Sequence, residues 1–168
     1  MHIVITGANR GIGRALYNRY TAAGHDVTGT SRSGGEFATL DVTNPDSQAS
    51  LARELDGRPI DLLICNAGVY LDKHESLATG YPAAMWADTF GANVTGVFVT
   101  VQSLLPNLQM DPGAKLAIIS SQMASHTRAP GGSYIYRASK AAALNLGRNL
   151  ATDLAPLGIA VGIYHPGW

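Results

Sequence analysis

Short apolar, β-branched runs alternate with longer stretches of mixed polarity along the whole chain. The runs predict six strands, at 2–6, 26–31, 37–42, 60–65, 114–120 and 158–164. The stretches between them predict helices at about 11–23, 45–55, 82–108 and 134–155. This order is expected of successive βαβ units on a parallel sheet with helices on both faces, which makes the fold class α/β.

Two of the predicted helices carry residues that bear on where they begin and end. Asn44 followed by Pro45 is typical of an N-cap and a first helical position. Gly91 and Gly96 lie inside the third helix and Pro106 lies near its end, so the boundaries of that helix stay open.

Composition limits the protein to one domain and excludes several classes of partner. The chain has 168 residues, 46% of them hydrophobic and 14% charged, enough for one sizeable core. There is no repeat and no linker, so residues 1–168 are predicted to form a single domain. A formal net charge of zero favours neither nucleic acid nor an anionic membrane as a partner.

Cysteine and histidine usage indicates a reducing compartment and no metal site. Cys65 is the only cysteine, and the opening residues lack the pattern of a signal peptide, so a cytoplasmic protein is expected. No apolar stretch reaches the roughly 20 residues that span a bilayer. The five histidines show no ligand spacing, and we predict no bound metal.

A glycine cluster, "TGANRGIG" at 6–13, joins the first strand to the first helix. Gly7, Gly11 and Gly13 permit a tight turn and close backbone approach, and the helix N-terminus offers N–H groups to a pyrophosphate. The cluster is therefore a candidate dinucleotide site. An ordinary strand-to-helix turn would have the same residues, and the cluster alone leaves that alternative open.

The end of the second strand, "TSRS", is where a dinucleotide fold reads the adenosine ribose. Ser31 and Arg32 stand there without a carboxylate, and Arg10 in the glycine turn could add a second guanidinium. Two arginines without an acid favour the 2′-phosphate of NADP. Two solvated surface arginines are the alternative.

Tyr136 and Lys140 in "YRASK" lie one helical turn apart and share a face of the fourth predicted helix. A free tyrosine has a pKa near 10, which a neighbouring ammonium group lowers, so the two side chains could form an acid–base pair. The same spacing is common on ordinary helix surfaces, and this alternative also stays open.

Taken together, six stretches carry a resemblance to a known family. In chain order they are "TGANRGIG" (6–13), "CNAG" (65–68), the asparagine of "ANVTGVF" (92–98), "IISS" (118–121), "YRASK" (136–140) and "HPG" (165–167). In order and approximate spacing they resemble the classical short-chain dehydrogenases/reductases, from residue 2 to the last residue. The segment from "SSQMAS" to "HPGW" looks most like the C-factor and small carbonyl reductase branch.

The resemblance implies a Rossmann-type doubly wound sheet and assigns roles to individual residues. Tyr136 would donate a proton to the substrate carbonyl, and Lys140 would lower the tyrosine pKa and bind the nicotinamide ribose. Ser121 would hold the substrate oxygen, and Asn93 would support a proton relay. Residues in the glycine turn, at four strand ends and in the catalytic pair would hold the cofactor: Gly7, Asn9, Arg10, Gly11, Ile12, Gly13, Ser31, Arg32, Asp41, Val42, Asn66, Ala67, Gly68, Tyr136, Lys140, Pro166 and Gly167.

Two of these residues also have a purely structural interpretation. Asp41 would contact adenine through its side chain, or else serve as a turn residue at a strand end. Asn66 would line the adenosine side of the cofactor, or else satisfy backbone groups at a strand end. Cys65 stands where the family often has asparagine and is expected to fill the core.

The function that follows is an NADPH-dependent oxidoreductase interconverting a ketone or aldehyde and an alcohol, with NADP(H) preferred and NAD(H) also accepted. A C-factor-like dinucleotide-binding regulatory protein with little turnover is the alternative. A homodimer or homotetramer is expected, and substrate choice is expected to depend on 69–81 and 122–133. Family members continue past the "HPG" turn with a covering segment and a seventh strand, so we expect this sequence to lack its C-terminal strand and to turn over weakly.

Overall fold

Six parallel strands form one sheet in the computed structural model, which describes residues 1–167. They are β1 (His2–Ile5), β2 (Asp26–Ser31), β3 (Ala38–Thr39), β4 (Leu62–Cys65), β5 (Lys115–Ile119) and β6 (Ala160–Tyr164). Their spatial order is β3-β2-β1-β4-β5-β6. The chain winds outward in both directions from the β1–β4 pair, so the predicted doubly wound Rossmann-type fold is confirmed.

Helices connect the strands where the sequence predicts them. They are α1 (Gly11–Ala22), α2 (Pro45–Glu54), α3 (Ala83–Phe90), α4 (Gly96–Gln109) and α5 (Tyr134–Leu154). The predicted start of α2 is confirmed, because the Asn44 side chain accepts hydrogen bonds from the amides of Asp46 and Ser47. Short 3₁₀ turns at Gln122–Ala124 and Ala155–Leu157 precede and follow α5.

The predicted third strand is the main departure from the expected elements. Only two residues of 37–42 pair with β2, because Phe37 and Leu40 on either side turn inward and are buried. Burying these two large side chains takes the chain out of the sheet. The amide of Leu40 still donates to the Ser31 carbonyl oxygen at 2.9 Å, which holds the segment against β2.

The predicted third helix is divided in two by a π-helical turn at Gly91–Thr95. Gly96, the first residue of α4, packs so closely on Val42 that an added Cβ would lie 2.9 Å from the valine side chain. The wider turn also brings Asn93 into the interior. π-Helical turns inside α-helices often occur at functional sites.

The two faces of the sheet are covered unequally. One face carries the larger core, in which Val4, Leu63 and Ile118 pack against α2, α4 and α5. On the other face, Ile3, Ile5 and Ile64 pack against Phe37 and the aromatic side chains of α1. This second face continues past α1 as an apolar groove of about 690 Å³ over β4, β5 and β6. β6 is one of the two edge strands of the described sheet and is partly exposed.

Candidate functional site

The glycine turn lies at the carboxyl end of β1, beside the end of β4. Gly7 has a φ of +68°, a conformation that favours glycine, and an added Cβ would lie 3.0 Å from the Cα atom of Ala67. At Gly13 an added Cβ would overlap the Gly7 carbonyl oxygen and the Asn66 amide. Both glycines are therefore required by close backbone packing.

Asn66 holds this turn in shape. Its side-chain nitrogen donates to the carbonyl oxygens of Thr6 and Gly7, each at 3.0 Å. Its own amide and that of Ala67 bond the Thr6 hydroxyl, also at 3.0 Å. The side-chain nitrogen of Asn66 thus binds the backbone, as in the structural interpretation, and orders the turn from β4.

The N-terminus of α1, the positive end of its helix dipole, lies at the same edge of the sheet. Its N-cap residue, Arg10, makes no side-chain capping hydrogen bond within residues 1–167. The first-turn N–H groups therefore have no side-chain cap from Arg10, and such groups can accept an anion as partner. Asn9, Arg10, Gly11 and Ile12 of this turn are exposed.

The end of β2 is where the sequence predicts that an adenosine ribose would bind, and it carries Ser31 and Arg32. Ser31 is buried and donates its hydroxyl hydrogen to the Gly34 carbonyl oxygen at 3.0 Å. Arg32 is exposed, as is Arg10. An acid does lie nearby: Glu36 pairs with Arg14 of α1 at 2.6 Å, a contact that the sequence pattern did not indicate.

Asp41 and Val42 follow the short strand β3. Asp41 accepts hydrogen bonds from the hydroxyl and the amide of Thr43 at 2.7 and 2.9 Å. These two bonds, with a smaller contribution from the Arg32 charge, hold the pKa of the Asp41 carboxyl below its usual range. One carboxylate oxygen of Asp41 is thus taken up by a local turn, and Val42 packs on Gly96.

The predicted acid–base residues come together on the first turns of α5. Tyr136 is half-buried, and the Ser121 hydroxyl, at the end of β5, lies close enough to its phenol to affect the pKa of Tyr136. The Ser121 hydroxyl oxygen also accepts from the amide of Met123 at 3.1 Å. Lys140 is buried, its Nζ lies 5.8 Å from the Tyr136 ring centroid, and it donates to the Ile119 carbonyl oxygen at 2.9 Å.

The pKa of Tyr136 moves in the direction opposite to the expected one. Burial raises the pKa of Tyr136, the nearby Ser121 hydroxyl opposes the rise, and Tyr70 adds to it. Burial also lowers the pKa of Lys140 from 10.5 to about 8. The expected lowering by Lys140 is not found because the ammonium group bonds a carbonyl oxygen instead of the phenol, and because desolvation of the phenol dominates. Tyr136 is a neutral phenol at pH 7, able to donate a proton.

Asn93 connects three parts of the site from inside the π-helical turn. Its Oδ1 accepts from the amide of Val69 at 2.8 Å, and its Nδ2 donates to the Val69 carbonyl oxygen at 2.9 Å and to the Ser139 hydroxyl at 3.0 Å. Gly68 is required here, because an added Cβ would lie 2.9 Å from Asn93 Oδ1 and 3.5 Å from Lys140 Nζ. Asn93 therefore holds the start of loop 69–81 against α5.

Two functional candidates in loop 69–81 were missed from the sequence. The Tyr70 ring stacks on the Tyr136 ring at 4.2 Å between centroids, and its hydroxyl shares a 2.6 Å hydrogen bond with Ser133. Asp72 is fully buried and accepts hydrogen bonds from the amides of Ile135 and Tyr136. A single sequence gives no sign of these contacts, which join residues more than sixty positions apart.

A pocket of about 380 Å³ opens beside Ser121 and suits a small substrate. It is lined by Ser120, Ser121, Ser125, Arg128 and His165, among others. The larger groove on the other face is lined mainly by apolar side chains and does not include Ser121, Tyr136 or Lys140. Of these three side chains only Ser121 lines the smaller pocket, so that pocket is linked to the candidate site through Ser121. Pro166 and Gly167 follow β6 toward this edge, and Gly167 has a φ of +102°.

Two further structural findings concern metals and membranes. Within residues 1–167 no three histidine, cysteine or acidic side chains come together as metal ligands would. No helix in the described part of the chain combines the length and apolar character needed to cross a bilayer.

Comparisons with known proteins agree with this geometry. A family model described as short chain dehydrogenase matches residues 1–168. The 3-oxoacyl-[acyl-carrier-protein] reductase MabA of Mycobacterium tuberculosis is 30% identical over 173 residues, which cover 99% of this chain and 68% of that protein.

Solved structures are similar over almost the whole chain. A short-chain dehydrogenase from Streptomyces avermitilis has a TM-score of 0.86 at 29% identity, covering 96% of this chain and 63% of that one. An NADPH-bound carbonyl reductase from chicken fatty liver has a TM-score of 0.88 at 25% identity, covering 99% of this chain and 79% of that one. The chain thus spans less than two thirds of the Streptomyces protein.

Proposed function

The chain belongs to the short chain dehydrogenase family, and from this premise we propose that it is an NADPH-dependent oxidoreductase interconverting a ketone or aldehyde and the corresponding alcohol. The observation that carries the proposal is the group formed by Tyr136, Ser121 and Lys140 at the carboxyl edge of the sheet. This group lies on the same edge as the glycine turn. Ligands of doubly wound sheets bind at this edge.

The residues present fit a nicotinamide dinucleotide. Gly7 and Gly13 leave the turn without side chains where a backbone must approach a pyrophosphate, and the first turn of α1 offers N–H groups. A bound nicotinamide supplies the hydride. Asp41, Val42 and residues 66–68 would border the adenosine side, and Pro166 and Gly167 the nicotinamide side.

Side chains of this protein would supply the proton that the reduction needs. The Tyr136 hydroxyl would donate its proton to the substrate oxygen during reduction, and its raised pKa keeps it protonated at neutral pH. The Ser121 hydroxyl would hold the same oxygen. The Lys140 ammonium would bind the ribose hydroxyls and return a proton to Tyr136, for which a pKa of about 8 is well suited. Asn93 would keep these groups in place through Val69 and Ser139.

We propose that NADPH is preferred over NADH. Arg10, in the glycine turn, and Arg32, at the end of β2, are both exposed, and guanidinium groups suit a phosphate dianion. Glu36, the acid nearest in sequence, is paired with Arg14 at 2.6 Å and so is drawn toward α1. NAD(H) remains an acceptable second cofactor.

The substrate we propose to test first is a 3-oxoacyl thioester, since MabA, at 30% identity, is named for that activity. Simple ketones and aldehydes come next, as for the carbonyl reductase from chicken fatty liver. The C-factor-like regulatory function is the second candidate, and binding without turnover would favour it. The group formed by Ser121, Tyr136 and Lys140 argues against binding alone.

A screen of carbonyl compounds with NADPH and with NADH, followed at the nicotinamide absorbance, tests this proposal. We expect oxidation of NADPH with at least one carbonyl compound and a slower reaction with NADH. Tight NADPH binding without oxidation by any compound would favour the regulatory alternative.

We also propose a homodimer or homotetramer formed through α4 and α5. Phe98 on α4 is 42% exposed, and Ala141 and Ala142 on α5 are small and only partly covered. Small residues let helices approach closely, so two copies could pack these helices together. A sedimentation mass equal to one chain at micromolar concentration would contradict this.

We also propose a cytoplasmic location, because Cys65 has no second cysteine in the sequence to pair with.

A further inference from the structure

Asp72 is a carboxylate with no exposed surface, and it lies in loop 69–81, on which substrate choice is expected to depend. It accepts a hydrogen bond from the Ile135 amide at 2.8 Å and two longer ones, both 3.3 Å, from the Tyr136 amide. These are the second and third residues of α5. Asp72 therefore satisfies N–H groups that the helix itself cannot satisfy.

The N-cap position of α5 explains why a distant residue does this. Ser133 has φ +47° and ψ +43°, a left-handed conformation, and makes no side-chain capping bond within the described residues. A serine N-cap normally has extended backbone and caps its own helix. Here the cap comes from a loop more than sixty residues earlier in the chain.

Stability alone would not require this arrangement. Burying a carboxylate is costly unless charged and hydrogen-bonding partners offset the cost, and here the positive end of α5 and the two amides do so. A local serine or asparagine cap would stabilise the helix without burying a charge. The remote cap adds a fixed connection between loop 69–81 and the turn that carries Tyr136.

A second contact from the same segment reaches the Tyr136 side chain. Tyr70 stacks on the Tyr136 ring with 20° between the planes, and its hydroxyl bonds Ser133 at 2.6 Å. Tyr70 and Asp72 thus hold the ring and the backbone of one residue. Two residues of one loop therefore contact Tyr136, one at its ring and one at its backbone amide.

We propose that Asp72 is a positioning residue for Tyr136, which sets the place of the phenol relative to Ser121 and Lys140 through the backbone of α5. Asp72 does not touch the substrate; it acts through Tyr136, and the inference rests on the proposed function of that tyrosine. Misplacing a reacting group by about 1 Å can lower turnover on the order of 100-fold. This is the loss expected when the cap is removed.

The test compares Asp72→Ala with Asp72→Asn, which keeps one acceptor oxygen and removes the charge. Asp46→Ala is the matched control, because Asp46 is an acid in the first turn of α2, a helix that carries no site residue. Turnover is measured per bound NADPH, so that a smaller folded fraction does not count as slower chemistry. Each Asp72 variant is also made with Tyr136→Phe.

We expect Asp72→Ala to lower the normalised turnover about 100-fold with little change in the KM for NADPH, and Asp72→Asn to restore most of it. In the Tyr136→Phe background, Asp72→Ala should have no further effect. An unchanged normalised turnover in Asp72→Ala would overturn the proposal. So would a loss from Asp72→Ala that is as large in the Tyr136→Phe background as in the protein that keeps Tyr136.

NMR of ¹³C-labelled tyrosine rings decides the question independently of activity. The Tyr136 resonances are assigned through Tyr136→Phe. In Asp72→Ala they should shift and lose their proximity signals to the Tyr70 ring. In Asp46→Ala and Asp72→Asn they should remain close to those of the unchanged protein. Unchanged Tyr136 resonances in Asp72→Ala would overturn the positioning role. If Tyr136→Phe leaves turnover unaltered while the resonances shift as expected, the proposed function fails and the positioning contact stands.

Discussion

Lys140 gives a stability prediction whose sign and size follow from its burial. Lys140 is 6% exposed. Its ammonium group donates to a carbonyl oxygen, and no carboxylate within the described residues pairs with it. Burial lowers the pKa of Lys140 from 10.5 to about 8. That difference corresponds to about 3 kcal/mol of free energy opposing the charged form in the folded state.

The pH window follows from proton binding in the two states. Below pH 8 Lys140 is charged in both the folded and the unfolded chain, so the full cost of burial is present. Between pH 8 and 10.5 the unfolded chain binds more protons, so stability rises with pH. Above 10.5 the group is neutral in both states and the cost is gone.

Comparison with Lys140→Met isolates this contribution, because methionine fills a similar volume without a charge. The free energy of unfolding is measured by urea titration at pH values from 7 to 10.5 for both proteins. Relative to the variant, the unchanged protein should gain about 3 kcal/mol across this range. Parallel stability profiles for the two proteins would refute a buried, desolvated ammonium group.

Three further predictions concern the turn, the cofactor and the core. Gly13→Ala should destabilise the protein by about 1–3 kcal/mol and abolish NADPH binding, because the new methyl group has no room. The control Gly113→Ala should change neither the free energy of unfolding in urea nor the NADPH affinity measured by fluorescence titration. Arg32→Asp should weaken NADPH binding by about ten- to a hundred-fold and leave NADH binding nearly unchanged, whereas the control Arg53→Asp on α2 should change neither affinity. An NADPH affinity in Arg32→Asp equal to that of the unchanged protein would contradict the phosphate role. Asn107→Ala removes buried hydrogen bonds of 2.6 and 2.9 Å to two backbone carbonyls and should lower the free energy of unfolding in urea by about 2–4 kcal/mol. A decrease below about 1 kcal/mol would contradict the importance of these bonds.

The order of strands and helices could be predicted because it depends on local patterns. β-Branched runs such as that of β1 and the Asn44–Pro45 start of α2 carry their own signals in sequence. β3 could not be bounded, because the burial of Phe37 and Leu40 depends on what packs over them. The π-helical turn depends likewise on the fit of Gly96 against Val42, a contact between separate elements.

The candidate site was predictable where backbone shape or helical spacing decides it. The glycine turn and the Tyr136–Lys140 spacing are of this kind. The direction of the Tyr136 pKa was not, because it depends on how deeply the phenol is buried and on where the Lys140 ammonium group points. Asp72 could not be found at all, since its partners lie on a helix that begins more than sixty residues later.

The central claim is that Tyr136 delivers the proton that completes carbonyl reduction, and replacing it with phenylalanine tests this most directly. The measurement is single-turnover oxidation of bound NADPH by the substrate found in the screen, with NADPH affinity determined on the same samples. Tyr136→Phe should slow the oxidation by about 10²- to 10⁴-fold and leave NADPH affinity nearly unchanged. An oxidation rate in Tyr136→Phe close to that of the unchanged protein would contradict the claim, because another group would then supply the proton.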